Sequence, residues 1–441
     1  MKTKIILNSF LLGSLFLFSQ CEKLKELEND YTGSGTSFTN KFKVTIENVQ
    51  TPKMYFASGV FTTPVGTSTA GPATPGNAFE FTFYAGKGQR LSFVTMFGRS
   101  NDLFFAPEGK GIELYDGDMP LSGDITSKIS LWDAGTEINE MPGAGLYQAN
   151  TQAAPNTGPS ENKPVMEISQ VNDGFTYPSV SSVIKVMISN DGMSKFTVHI
   201  EDVMGAFTPV SPGSWVIHTS DYPIFEPGKP DRGFGLESNV EDGDPAVLGK
   251  YLAKNSGLVT PISPGVWTIT HSGQYPLFRN NQMDYGDGLK FIAQGGDPTM
   301  LAATLKTKTM IISTGVYNMA TGSSSAGPLL PGDKFVFTVT ALKGDYLSFA
   351  SMFGQSNDVF FAPSDMGISL WNGKMPIYGD VTGQIRLWDD GTEMNEYPGA
   401  GNHQPAHGMG GVVETNNIAV VNDGFPYAPI ASLIKVTITP Q

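Results

Sequence analysis

Two acidic motifs are the segments of this sequence best suited to chemistry. Asp133 and Glu137 stand four residues apart in DAGTE, and the motif returns 256 residues later as DDGTE, with Asp389 and Glu393. The glycine inside each motif permits a sharp turn that can aim both carboxylates at one point. Ca²⁺ takes about six to eight oxygen ligands, and carboxylates are prominent among them. The pattern indicates a candidate calcium site, although a single motif of this kind is more often a solvated acidic turn.

Catalysis by the same carboxylates is the weaker hypothesis. Paired carboxylates can hydrolyse a glycosidic bond, but nothing in the sequence separates a raised-pKa acid from a base. The serine-rich connections GTSTAGPATPG and GSSSAGPLLPG carry no nucleophile-elbow pattern. His403 and His407 lie in a glycine-rich stretch where no helix would align them on a metal. We therefore expect no catalytic residue and keep a glycan-acting enzyme as a distant alternative.

The elements that must position the acidic motifs occur twice. LSFVTMFGRSNDLFFAP returns as LSFASMFGQSNDVFFAP with the same offset as the acidic motifs, so the chain is a tandem duplication. Each repeat is expected to open with a similar strand, KFKVTIENV at Lys41 and KFTVHIEDV at Lys195. This predicts a first domain over residues 39–190 and a second over residues 194–441.

The local patterns of both repeats are those of strands. FEFTFYA and FVFTVTA alternate apolar and polar residues with period two, and PG, DG and GD pairs separate such runs. Gly 51 and Pro 30 are frequent, whereas charged residues reach only 16%, too few for long solvated helices. The sequence therefore predicts an all-β fold of two tandem antiparallel β-sandwiches, with short helices in the second repeat.

A smaller duplication lies inside the second repeat. TPVSPGSWVIH, YPIF and GDPAVLGKYL of residues 206–253 return as TPISPGVWTIT, YPLF and GDPTMLAATL of residues 258–305. Each copy is expected to end in a short helix, because Asp-Pro supplies a capping side chain and a first helical residue that needs no N–H. The first repeat has no such unit.

These segments together resemble the spondin N-terminal domain family. The resemblance rests on the strand with Trp215 and His218, an aromatic-Pro-x-Phe segment, GLE before GDP, SND before aromatics, and WDAGTE before PG. It covers nearly the whole mature chain as two copies. The family implies an eight-stranded antiparallel β-sandwich that holds calcium between loops at one edge and serves extracellular attachment.

The resemblance also implies a ligand set and a packing arrangement. By motif it adds Asp102 of SND to Asp133 and Glu137 in the first repeat, with glutamate last where animal members have aspartate. Relatives place one fifty-residue unit in each sandwich, so we expect residues 206–253 to cover apolar surface on the first repeat. The alternative is that both copies pack on the second repeat or on each other, with a flexible joint near residues 190–194. In the second repeat the implied ligands are Asp358, Asp389 and Glu393.

The N-terminus is typical of a secreted lipoprotein. Residues 1–20 have the basic start and short apolar run of a signal peptide, too short to span a bilayer comfortably. Cys21, the only cysteine, resembles the lipidated residue of bacterial lipoproteins, and a single cysteine excludes a disulfide framework. Residues 21–38 are then a lipidated cysteine and a polar tether. Its acidic residues Glu22 and Glu26 favour the outer face of the outer membrane.

The charge balance limits the partners. Lys plus Arg 28 against Asp plus Glu 42 gives a net charge of −14, which disfavours nucleic acid. We expect a lipid-anchored, calcium-stabilised surface protein that binds a glycan, matrix or envelope protein. The alternative is an accessory lipoprotein subunit of an outer-membrane assembly with a barrel partner. Binding residues on sandwich loops have no signature in one sequence, so both hypotheses stay open.

Overall fold

The computed structural model describes residues 39–204 and 208–441, which are mostly β-structure in antiparallel sheets. The expected all-β class is confirmed at this level. Alternation of buried and exposed side chains along Thr39–Asn48 and Lys195–Asp202 is the strand pattern that the sequence predicts. Within the described ranges no helix is long and apolar enough to cross a bilayer. Cys21, the signal peptide and the tether lie outside these residues.

Two sheets with a shared apolar core make up what we call the first sheet pair. Phe81, Phe93 and Val198 belong to this core. In pairing order, the four-stranded sheet contains Ala78–Tyr84, Lys195–Asp202, Ile184–Asn190 and Gly123–Asp124. The seven-stranded sheet contains Met166–Glu167, Ile129–Asp133, Leu103–Pro107, Arg90–Phe97, Val210–His218 and Ala57–Phe61, with Ile112–Glu113 beside Arg90–Phe97.

The second sheet pair has the same arrangement around its own core. Phe42, Phe335 and Phe349 belong to that core. Its four-stranded sheet contains Lys334–Leu342, Thr39–Asn48, Ile434–Pro440 and Gly379–Asp380. Its seven-stranded sheet contains Ile311–Tyr317, Ile262–His271, Asp345–Phe353, Val359–Ala362, Arg386–Asp389 and Ala419–Val420, with Ile368–Ser369 beside Asp345–Phe353.

The remaining elements are short. Each sheet pair has one two-stranded hairpin, one four-residue helix and two helices from its fifty-residue unit. The hairpins are Tyr115–Asp116 with Met119–Pro120 and Trp371–Asn372 with Met375–Pro376. The helices are Val180–Val183, Leu236–Glu241, Ala246–Asn255, Leu289–Gly295, Thr299–Leu305 and Ile430–Leu433, with 3₁₀ turns at Thr126–Lys128, Ile168–Gln170 and Thr382–Gln384.

The strand pairing differs from the predicted boundaries at residues 39–190 and 194–441. Thr39–Asn48 lies in the second sheet pair, and Lys195–Asp202 lies in the first. The physical reason is local: the short connection after Asn190 is a hairpin turn, in which the N–H of Gly192 donates to Asn190 Oδ1 at 2.7 Å. This turn pairs Lys195–Asp202 with the strand before it. The equivalent position in the second sheet pair is filled by the N-terminal strand.

Each sheet pair carries one fifty-residue unit. Val210–His218 pairs with Arg90–Phe97 and Ala57–Phe61, and its two helices pack on the same sheet. The second copy adds Ile262–His271 and its helices to the second sheet pair. The prediction that the unit of residues 206–253 packs on the first repeat is therefore confirmed for its described part, residues 208–253. The predicted placement of this copy in the second domain is corrected.

The first sheet pair is an insertion between the first two strands of the second. The chain crosses from one pair to the other twice, and the two crossings are hydrogen-bonded. Gln50 donates through Nε2 to the carbonyl of Thr260 at 2.7 Å, and the Thr260 N–H donates to Gln50 Oε1 at 2.9 Å. The rings of Tyr84 and Tyr397 stack across the junction, 3.8 Å between centroids. The segment near residues 190–194 is thus a turn inside one sheet and no inter-domain joint.

The exchange of strands predicts where core mutations act. Phe42 and Phe196 are fully buried, equivalent residues of the exchanged strands. Phe42→Ala should cost about 3–5 kcal/mol and reduce amide protection in Lys334–Leu342 and Ile434–Pro440. Phe196→Ala should instead affect Ala78–Tyr84 and Ile184–Asn190. Hydrogen exchange with mass spectrometry measures both, and loss of protection in the first sheet pair on Phe42→Ala would contradict the pairing.

Candidate metal centres

The acidic motifs form the same turn in both sheet pairs. The strands Ile129–Asp133 and Arg386–Asp389 each end on the first acid of the motif. The next glycine has a positive φ, +66° at Gly135 and +68° at Gly391. A Cβ on Gly135 would also stand 2.6 Å from the carbonyl oxygen of Lys163, so only glycine fits. The sharp turn that the sequence predicts is present.

Asp102 organises this turn in the first sheet pair. Its Oδ2 accepts hydrogen bonds from the N–H groups of Thr136 at 2.8 Å and Glu137 at 3.1 Å, and from Thr136 Oγ1 at 3.2 Å. Asp358 accepts the equivalent three bonds from Thr392 and Glu393 at 2.8, 3.1 and 2.8 Å. Within the described ranges, the other oxygen of each aspartate is buried and has no hydrogen-bond partner.

The other predicted ligands lie on the same turns and are hydrogen-bonded. Asp133 accepts from the N–H of Gly135 and from Asn139, both at 2.7 Å, and Glu137 accepts from the N–H of Gly158 at 2.8 Å. Asp389 repeats the pattern of Asp133, and Glu393 is 6% exposed. Among the described residues, no three carboxylate or imidazole groups are close enough together to hold one metal ion.

Each turn has a further buried acid that sequence reasoning missed. Glu241, at the end of the helix Leu236–Glu241, is 1% exposed, and Asp390, inside the second motif, is fully buried. Neither oxygen of Glu241 has a hydrogen-bond partner of good geometry in the described structure, although the Thr136 hydroxyl lies near enough to lower the pKa of Glu241. The neighbouring Thr136 hydroxyl has one proton, which it donates to Asp102. One oxygen of Asp390 is likewise unpartnered. The sequence signal for Asp390 was the change from DAGTE in the first motif to DDGTE in the second, and Glu241 had no such signal.

These carboxyls are electrostatically unfavourable as anions. Burial raises the pKa of Asp102 and Asp358 to about 7, reinforced by Asp133 and Asp389 respectively. Burial also raises the pKa of Glu241 to about 8 and that of Asp390 well above its usual value. The pKa values of Asp133, Glu137, Asp389 and Glu393 are raised by the same cause. In the described residues, no salt bridge to lysine, arginine or histidine involves any of the eight.

This chemistry tests whether calcium suits the two turns. Buried carboxylates without a counter-charge are costly, and oxygens without hydrogen-bond donors are free to bind a cation. The donor set is all oxygen, as Ca²⁺ prefers. The unpartnered oxygens of Asp102 and Asp358 therefore suit a cation by their chemistry. Because no three acidic or imidazole groups of the described residues are close enough to surround one ion, binding at either turn requires the carboxylates to move closer together.

The histidines do not form a metal site with the acids. His403 contacts Glu396 at 2.7 Å, whereas His407 Nδ1 lies 2.6 Å from the carbonyl oxygen of Lys87 across the junction. His218 is buried between Ser92 and the Ser220 carbonyl, and burial lowers its pKa to about 4. The paired phenylalanines after each SND motif are also buried. They are Phe104, Phe105, Phe360 and Phe361, none more than 1% exposed.

Comparison with known proteins gives no relative from which a function could be transferred: no family model matches the chain, and no curated protein matches it. The similarity to the spondin family stays a prediction from the motifs.

The raised pKa values predict an unusual pH dependence in chelator. The native state holds protons on these carboxyls that the unfolded chain releases near its ordinary pKa, so stability present below about pH 4 is lost as pH rises through 7 to 8. Each such group lowers the free energy of unfolding by about 1.4 kcal/mol per pH unit in that window.

Denaturant unfolding in chelator from pH 5 to 8 measures this slope. Glu241→Gln should reduce the slope of the free energy of unfolding against pH by the contribution of one carboxyl. Glu108→Gln, at an exposed site, should not change this slope. Stability that is constant or rises between pH 5 and 8 would contradict the prediction.

Proposed function

We propose that this protein is a lipid-anchored surface protein of two spondin-type β-sandwiches, stabilised by calcium, that recognises a macromolecule without catalysing a reaction. Each sheet pair is one sandwich in this proposal. The anchor is Cys21, and the protein faces the cell exterior from the outer membrane. The observation that carries the proposal is the pair of equivalent turns: of their eight carboxyls seven are buried and Asp389 is half-buried, and none of the eight forms a salt bridge within the part of the chain that the structure describes.

Calcium would act on structure at these turns. Asp102, Asp133 and Glu137 would hold it in the first sandwich, and Asp358, Asp389 and Glu393 in the second. Bound calcium supplies the positive charge that offsets their burial. The protein's own residues do the rest: the N–H groups of Thr136 and Glu137 orient Asp102, and Asn139 orients Asp133. Cation binding is then linked to the order of the loops.

The loop after the first acidic turn supports a recognition role. Ile138, Met141 and Leu146 are 51%, 61% and 72% exposed, so the loop presents large apolar side chains to solvent. In the second sheet pair the equivalent loop already makes a contact: Tyr397, equivalent to Met141, stacks on Tyr84 of the first pair. The equivalent loop of the second sheet pair thus already binds another surface of the same protein through an aromatic side chain. An exposed apolar loop beside an ordered site suits a macromolecular ligand.

Calcium is predicted to raise the melting temperature of the full mature chain. At a hundredfold excess over Kd, binding to the native state adds about 2.7 kcal/mol, so chelation at pH 7.5 should lower Tm by a few degrees. Asp102→Asn with Asp133→Asn should remove the response of the first sheet pair, and Asp358→Asn with Asp389→Asn that of the second. Asp116→Asn, an exposed control, should respond like wild type. A wild-type melting curve unchanged by both calcium and chelator would refute calcium binding.

The exposed loop is predicted to carry recognition. Cells displaying the protein should adhere to immobilised matrix proteins or polysaccharide, and Met141→Ser with Leu146→Ser should reduce that adhesion several-fold. Met119→Ser removes an equally exposed methionine, 71% exposed, from a different hairpin and serves as the control. Equal adhesion by cells with and without the protein, on all surfaces, would contradict the recognition role.

A further inference from the structure

The two turns differ by an exchange of one acid between two elements. Superposing the repeats places Ala134 of DAGTE at the position of Asp390 in DDGTE. Aligning the fifty-residue units on their GDP segments places Glu241 at the position of Gln294. The first turn therefore has an acid on the neighbouring helix, Glu241, and has alanine, Ala134, at the second position of its motif. The second turn has the reverse, so each retains four carboxyls, all of them buried except the half-buried Asp389.

The exchanged positions lie at the same place in the two sheet pairs. Gln294 donates through Nε2 to the hydroxyl of Thr392 at 3.0 Å. That hydroxyl is 3.1 Å from Asp358 Oδ2 and 3.2 Å from Asp390 Oδ2. Thr136, equivalent to Thr392, contacts Asp102, and the negative charges of Asp102 and Glu137 act on Glu241. Residues 241 and 390 thus approach equivalent turns, one from the helix and one from the motif.

The two acids contribute little to the hydrogen-bonding of the fold: their single bond within the described residues is from the Thr392 hydroxyl to Asp390 Oδ2. Both oxygens of Glu241 and the Oδ1 of Asp390 are buried without a partner in the described structure, as are the Oδ1 atoms of Asp102 and Asp358. If the two positions served the fold alone, an uncharged residue would suffice at each. The chain itself has Gln294 at the position equivalent to Glu241 and Ala134 at the position equivalent to Asp390. What the two turns share is the number of carboxylates, and the charge of the ligands, together with the rigidity of the site, tunes affinity for calcium.

We propose that Glu241 and Asp390 are further carboxylate ligands of the two calcium sites, each supplying from a different element the ligand that the other site has lost. The inference rests on the proposed calcium binding and adds a structural consequence. In the first sheet pair the cation connects the sheet to the helix Leu236–Glu241 of the fifty-residue unit. In the second it connects residues of the sheet and its turn alone.

This inference is tested by moving the acid of the first site from residue 241 to residue 134, as in the second site. The parent chain carries Asp358→Asn and Asp389→Asn, so that calorimetric titration with Ca²⁺ reports the first site. Glu241→Gln should weaken that affinity about tenfold or more, since a charged ligand is lost. Adding Ala134→Asp, which rebuilds the arrangement of the second site, should restore it to within about threefold. Both replacements copy residues found at the equivalent positions, and melting in chelator checks that each variant folds.

The possible results separate the inference from the proposal beneath it. Unchanged affinity in Glu241→Gln, or no recovery on adding Ala134→Asp, would overturn the inference while calcium binding stands. No titration of wild type would overturn both. Hydrogen exchange provides an independent measurement: calcium should protect residues 236–255 in the first sheet pair, and should leave the equivalent helices at residues 289–305 unchanged. Equal protection of both helix pairs would contradict the connection made by Glu241.

Discussion

The buried carboxylate of Asp102, with that of Asp358 in the equivalent place, is the constraint on which the rest of the site depends. One oxygen fixes the acidic turn by accepting two backbone N–H groups and a threonine hydroxyl. The same burial leaves the second oxygen without a donor. The turn's hydrogen bonds therefore favour the ionised form of the carboxyl in a place where burial makes ionisation costly. A proton or a cation resolves this conflict, and the proposed role of calcium follows from the second solution.

The same constraint explains why the turns sit on such continuous sheets. Asp133 and Asp389 end strands that are paired on both sides in the seven-stranded sheets, so the acids project from backbone that has little freedom to separate them. The N-terminal strand contributes by completing the four-stranded sheet of the second pair, which closes that core after the first pair has been inserted. Two hydrogen-bonded crossings then join the pairs. In the full chain, unfolding of the second pair is expected to disturb both crossings.

Sequence patterns predicted the β class, the duplication, the turn at Gly135 and the packing of residues 206–253, because these depend on local periodicity and on counting units. The exchange of the strands Thr39–Asn48 and Lys195–Asp202 was not predictable from pattern. Buried and exposed side chains alternate in the same way along both strands, so either strand could pair in either sheet. The short turn after Asn190 determines that Lys195–Asp202 pairs with the strand before it. Glu241 was missed because it lies on a helix about a hundred residues from the motif that it approaches.

We propose that cations occupy the two carboxylate turns. Anomalous diffraction from crystals grown at pH 7.5 with calcium, and never exposed to chelator, tests it most directly. We expect two calcium peaks per chain, one against Asp102 Oδ1 and one against Asp358 Oδ1, each surrounded by the neighbouring carboxylates. Well-ordered density at both turns without an anomalous peak, with carboxyls at hydrogen-bonding distance from each other, would contradict it and identify protons as the resident charge.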